Sequence, residues 1–289
     1  MPQKKLEDLN LLDDFLFSAV LSDPNYGELF GRKLLKILFN KEVKNLKVVA
    51  QKYYGGMNTK YHGARLDVYL EDEDAAALEA AFPSTIYDIE PDRNSGKKAN
   101  LPRRVRFYHS LIDSRSLEKG EEFGKLKNVI VLFICSYDPF SSDRIWYTMK
   151  TSCLEEPDLP YDDGSRTIFL YTKGTRGEVS EQVRELLRYF EDTTRENAAN
   201  ENLKELQSIV EAVKQKGEVT LEYMKWFEVE QFAYERGKEE GEEKARQAQE
   251  KAEQEREKAR QEQERAERAE KENEELKEKI ARLQVLVGK

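Results

Sequence analysis

Arg65-Leu66-Asp67-Val68-Tyr69-Leu70, followed by Thr85-Ile86-Tyr87-Asp88-Ile89-Glu90, decides how this chain folds. Both segments are rich in β-branched and aromatic residues and bounded by turn or charge clusters, which reads as two strands. Both also carry carboxylates where apolar residues would ordinarily continue. If the strands pair, Asp67 and Glu90 sit side by side at the sheet edge, a ready site for a hard divalent cation such as Mg²⁺. The plainer reading is a solvated acidic hairpin, because Glu71-Asp72-Glu73-Asp74 between them has the composition of an exposed turn.

Downstream, a polar, glycine-bearing loop over Asp92 to Asn100 leads into Leu101-Pro102-Arg103-Arg104-Val105-Arg106-Phe107-Tyr108-His109-Ser110-Leu111-Ile112-Asp113. This reads as a helix with Pro102 suited to its first turn. Val105, Tyr108 and Ile112 share one face, which leaves Arg103, Arg104 and Arg106 to water or to phosphate. Val129-Ile130-Val131-Leu132-Phe133-Ile134-Cys135 is then a continuous apolar run, as expected of a strand buried on both faces. Strand, acidic hairpin, helix and buried strand follow in the order of a PD-(D/E)XK nuclease core.

The resemblance extends further. Leu12-Asp13-Asp14-Phe15-Leu16-Phe17, Arg65-Leu66-Asp67-Val68-Tyr69, Tyr87-Asp88-Ile89-Glu90 and Leu101-Pro102-Arg103-Arg104-Val105-Arg106-Phe107-Tyr108 resemble the PD-(D/E)XK family of transposases, the recombination-promoting nucleases of bacteria. Similar segments continue in order through Leu117-Glu118-Lys119-Gly120-Glu121, Phe133-Ile134-Cys135 with Asp138-Pro139-Phe140, Asp162-Asp163-Gly164, Ile168-Phe169-Leu170 with Lys173-Gly174-Thr175, and Glu222-Tyr223-Met224. The resemblance implies a restriction-endonuclease-like α/β core, Mg²⁺ (or Mn²⁺) as cofactor, DNA as partner, and phosphodiester hydrolysis linked to transposition or recombination. Asp67 matches the family's first catalytic aspartate and Glu90 the glutamate of its E-x-(Q/K) motif. Asp14 matches an acid of the first helix that can join the metal shell, with Asp13 as the register alternative. Either acid also suits a helix N-terminus on macrodipole grounds alone.

Two positions depart from the family pattern. Asp92, preceded by Pro91, stands where Gln or Lys is expected, and Ser18 stands where relatives often carry Lys. An ionised aspartate cannot donate a hydrogen bond and adds like charge beside a phosphate, although it can become a further metal ligand. Arg93, Lys97 or Lys98 in the following loop could supply the missing positive charge. The alternative is a degenerate nuclease fold that binds DNA or proteins without cutting.

The remaining sequence organises the chain into three parts: a core over residues 1–175, a helical extension over 176–235 and a charged helix over 236–289. The core opens with a helix over Leu11–Leu21 (Leu12, Phe15, Leu16, Ala19 and Val20 as its stripe). A second helix is capped by Asp23-Pro24, with Leu29, Phe30, Leu34, Ile37 and Leu38 inward. Strands are expected over Leu46–Tyr53, Arg65–Leu70, Thr85–Glu90, Val129–Ser136 and Arg166–Leu170. In the extension, Val183, Leu186, Leu187 and Phe190 mark one helix, and Leu203, Leu206, Ile209, Val210 and Val213 another. Leu221–Phe232 closes the extension, with Trp226 as core rather than a base-stacking platform.

Beyond Arg236 the apolar residues fall into heptads, ending with Asn273, Ile280 and Val287 at a positions and Leu276 and Leu283 at d. That pattern suits a parallel two-stranded coiled coil, hence a homodimer. A single helix held by i,i+4 charge pairs is the other reading. A net charge of −9 argues against broad coating of DNA but leaves room for a local basic cleft at Arg103, Arg104 and Arg106. Two cysteines, Cys135 and Cys153, argue against a disulfide framework. His62 and His109 show no metal-ligand spacing with them. The sequence has no bilayer-length apolar run and no secretory leader, so a cytoplasmic protein without a membrane partner is expected.

Overall fold

The computed structural model describes the backbone of residues 4–43, 46–54, 64–72 and 84–287, and their side chains except those of 50–54, 64–69, 72, 97, 281 and 283–287. The chain divides into two compact units, Met1–Met224 and Lys225–Lys289.

In the first unit, α1 (Asp14–Ser22) and α2 (Gly27–Phe39) precede β1 (Leu46–Tyr54), β2 (Ala64–Asp72) and β3 (Thr85–Asp92). A 3₁₀ turn over Ser95–Asn100 leads into α3 (Leu101–Asp113). Then come β4 (Asn128–Cys135), β5 (Trp146–Met149), β6 (Ser165–Tyr171), α4 (Glu181–Glu191) and α5 (Glu201–Lys214). The strands form one six-stranded mixed sheet in the order β1-β2-β3-β4-β6-β5. β1, β2 and β3 are antiparallel neighbours, whereas β3, β4 and β6 run parallel. Parallel neighbours need a crossover, and α3 supplies it between β3 and β4. The architecture is therefore α/β, a mixed sheet flanked by helices.

Helices cover both faces. Ile86 of β3, Val129, Val131, Phe133 and Cys135 of β4 and Phe169 of β6 pack with Leu101, Val105, Tyr108 and Ile112 of α3. On the other face Phe39 of α2 meets Tyr87 at a ring separation of 5.4 Å and Trp146 at 6.1 Å. Behind α1 and α2 the helices α4 and α5 add a further layer, with Phe17 and Phe190 5.8 Å apart. Ser180 and Asn200 begin these two helices and accept hydrogen bonds from the backbone N–H groups of Val183 and Leu203. The apolar residues assigned to α4 and α5 from sequence are all buried. Gly174 is required by close approach: a Cβ there would lie 2.6 Å from the Cα and N of Ile145.

Several expectations are corrected. β2 and β3 are interior strands, so Glu90 lies inside the sheet rather than at its edge. Glu71 and Asp72 extend β2 instead of forming a turn, and Glu71 pairs with Lys127; residues 73–83 lie outside the described residues. β3 continues through Pro91 to Asp92. Helix α1 starts at Asp14. Leu29 is 39% exposed, because the inward stripe of α2 runs through Phe30, Leu34, Leu35, Ile37 and Leu38 and position 29 falls off it. Strand β5 had no counterpart in the sequence reading.

Helix α6 (Gly217–Val287) begins in the first unit, where Tyr223 is buried while Leu221 and Met224 are exposed. Trp226, expected as core, is only partly buried. In the second unit α6 is the sole described element. Cys135 and Cys153 are free thiols, and burial pushes the Cys135 thiol's pKa up. No helix among the described residues is long and apolar enough to cross a membrane.

Candidate functional site: acids of β3 under helix α3

Side chains two apart on a strand share a face, so Ile86, Asp88, Glu90 and Asp92 all look toward α3. Three acids on the inner face of an interior strand is an expensive arrangement, since an ionised carboxylate taken out of water needs a positive partner. Asp88, Glu90 and Asp92 are all buried, with Glu90 1% and Asp92 6% exposed. Arg104 pairs with the last two. Its Nη2 donates to Glu90 Oε2 at 2.7 Å and its Nη1 to Asp92 Oδ2 at 3.1 Å. The Nε of the same guanidinium donates to the Tyr108 hydroxyl at 2.9 Å. Its central carbon lies 5.2 Å from the Tyr108 ring centre and 5.0 Å from that of Phe133, within cation–π range.

Burial works against the charge of Arg104, yet Glu90, Tyr108 and Asp92 hold its pKa above the ordinary value. Burial, reinforced by Glu90, raises the pKa of Tyr108. Burial, Cys135 and Asp92 push the pKa of the Tyr137 hydroxyl up as well. Asp92 also accepts the backbone N–H of Asn94 at 2.8 Å, which starts the turn toward α3.

Asp67 belongs to β2, whose antiparallel register with β3 includes Val68 opposite Ile89. The described pairs run from there to Glu71 opposite Ile86; the Asp67 side chain lies outside the described residues. Asp14 is exposed at the first position of α1. Its register alternative Asp13 is tied to this end of the sheet through an ion pair with Arg93, the residue after Asp92. Lys98 donates to Ser141 Oγ at 3.2 Å, and the Lys97 side chain lies outside the described residues. Arg103 and Arg106 are exposed on α3. Arg104, grouped with them from sequence, is turned inward to the acids. Leu101, Arg104, Val105, Tyr108 and Ile112 follow the i, i+3, i+4 spacing of one helix face, so the signal that places Arg104 inside was present but masked by residue type.

The two histidine expectations part ways. His109 Nε2 lies 2.9 Å from Thr167 Oγ1 and its Nδ1 3.1 Å from Ser165 Oγ, a structural pairing between α3 and β6. His62 lies outside the described residues. Asn273, Leu276 and Ile280 are exposed, Leu276 at 51% and Ile280 at 54%. The side chains of Leu283 and Val287 lie outside the described residues.

The chemistry of the donor set suits a hard cation. Glu90 and Asp92 offer oxygen ligands and already converge on a single cationic group, the guanidinium of Arg104. Among the described residues no group of three or more His, Cys, Asp or Glu side chains gathers at metal-binding spacing. No family model, curated protein or solved structure matches the chain.

Proposed function

We propose that this protein is a divalent-cation-dependent DNA endonuclease acting in transposition or recombination, the activity implied by the ordered resemblance to the PD-(D/E)XK nucleases. One observation carries the reading: an interior strand bears Asp88, Glu90 and Asp92 on a single buried face, beside the strand that carries Asp67. Asp67 and Glu90 would hold Mg²⁺ or Mn²⁺, with Asp92 as a further oxygen donor and Asp13 or Asp14 at the periphery. Such an ion supplies charge to a phosphate and lowers the pKa of a bound water. Arg103 and Arg106 would meet the DNA backbone from the outer side of α3. A C-terminal coiled coil through Asn273, Leu276, Ile280, Leu283 and Val287 would make the protein a homodimer, suited to two strands or two ends.

Incubating the full chain with supercoiled and linear DNA in Mg²⁺, Mn²⁺ or Ca²⁺ tests the reading. Cleavage in Mg²⁺ or Mn²⁺ that is lost in Asp67→Ala and in Glu90→Gln is expected. Cleavage that survives both substitutions refutes the site.

A second reading is favoured by the ion pair itself. Arg104 takes oxygen atoms of both Glu90 and Asp92, which suits a nuclease fold whose acids have become structural and which binds DNA without cutting it. DNA binding with no cleavage under any of the three ions is its expected outcome.

A further inference from the structure

We propose that Arg104 is an internal counter-cation that occupies the divalent-ion position of Glu90 and releases that carboxylate when such an ion binds. The inference rests on the hydrolytic reading of the site and adds a residue to it. Two features separate Arg104 from a permanent ion pair. The acids are sealed and the cation is not: Glu90 is 1% exposed, whereas the Arg104 side chain is 37% exposed. A long side chain anchored in the first turn of α3 can therefore leave toward water with its helix in place. The charges are also unequal, because one guanidinium faces two carboxylates within hydrogen-bond distance. That imbalance favours exchange for a doubly charged ion.

Mn²⁺ titration of the full chain tests the exchange without any activity measurement. Wild type, Arg104→Gln and Arg104→Lys are compared by calorimetry and by thermal unfolding, first in chelator and then in excess Mn²⁺. Arg104→Gln is expected to unfold at a lower temperature than wild type in chelator and to recover in Mn²⁺. It should bind Mn²⁺ at least about tenfold more tightly, because no charge-assisted hydrogen bond has to break first. Arg104→Lys, which keeps the charge but not the two-pronged geometry, should fall between them. Adding Glu90→Gln to Arg104→Gln should remove the gain.

Arg104→Gln that binds Mn²⁺ no more tightly than wild type, or stays destabilised at saturating Mn²⁺, overturns the proposal and leaves a structural arginine. Should Arg104→Gln fail to fold, Arg104→Lys decides by the same two criteria. DNA cleavage by wild type without any gain in the variants removes the exchange and leaves the hydrolytic reading standing. A gain that depends on Glu90, in a protein that cuts no DNA, does the reverse.

Discussion

Replacing Glu90 by Gln in the absence of divalent ions removes the charge at nearly constant shape and keeps an acceptor oxygen for Arg104. The wild-type contact is a charge-assisted hydrogen bond of 2.7 Å to a carboxylate that is 1% exposed. Bonds of that kind contribute about 1.5–3 kcal/mol, and a neutral acceptor retains roughly 1 kcal/mol. Arg104 keeps Asp92 at 3.1 Å and partial access to water, so a loss of about 1–2 kcal/mol is expected. Arg104→Gln removes the cation from both acids and should cost more, about 3 kcal/mol, at the low end for a buried pair broken from one side. In the double variant two amides face each other and little further is lost, leaving a coupling of about 1–2 kcal/mol. For a unit of this size each kcal/mol moves the midpoint by about 2–4 °C. Urea and thermal unfolding in chelator, followed by the fluorescence of Trp146 and Trp226, measure all four corners of the cycle. Effects that add to within about 0.3 kcal/mol would mean that the two side chains do not interact in solution. The account of the buried acids would then fail.

Three further outcomes follow from other parts of the molecule. Gly174→Ala should destabilise the first unit by about 1–3 kcal/mol, because its Cβ would meet the Ile145 backbone at 2.6 Å and neither segment is a flexible side chain; an unchanged midpoint in urea would contradict that approach. Burial lowers the pKa of His109, against the opposing pull of Asp163, so the unfolded chain binds the proton more readily and this contribution, present above about pH 6.5, is lost as pH falls. Stability measured from pH 7.5 down to 5 should therefore fall less steeply in His109→Gln than in wild type, and equal slopes would remove the effect. Replacing Leu276 and Leu283 with Lys should lower the oligomeric state seen by light scattering while the first unit stays folded; a monomeric wild type at micromolar concentration would refute the zipper.

The helices and strands that could be read from sequence are those whose periodicity is carried by apolar residues. Val105, Tyr108 and Ile112 announced the buried face of α3, and the unbroken run from Val129 to Cys135 announced a strand covered on both sides. Strand β5 escaped because four residues, Trp146–Met149, are too few for an alternating pattern, and only pairing with β6 makes them a strand. The acids at 90 and 92 were found as residue types, but their depth was not. Nothing local distinguishes a solvated acid at a strand end from one lying under a helix. Arg104 was misplaced for the complementary reason. Its spacing belongs to the apolar stripe, but a guanidinium counts as polar in any pattern, and only the acids across from it on β3 make an inward position favourable.

Helix α6 offers no tertiary cover over most of its length, with every described side chain from Glu235 to Ile280 exposed. Its backbone amides are therefore shielded from solvent protons only by helical hydrogen bonds, which open locally without any global unfolding. Amide hydrogen exchange should accordingly divide the chain into slow positions in β3, β4 and β6 and fast ones along residues 240–270. Where the rate falls again toward residues 273–287, it locates contact with a second helix; a rate that stays fast to the last turn belongs to a strand of charge standing alone in water. The exchange profile thus reads association amide by amide, at protein concentrations where mass measurements average over all species.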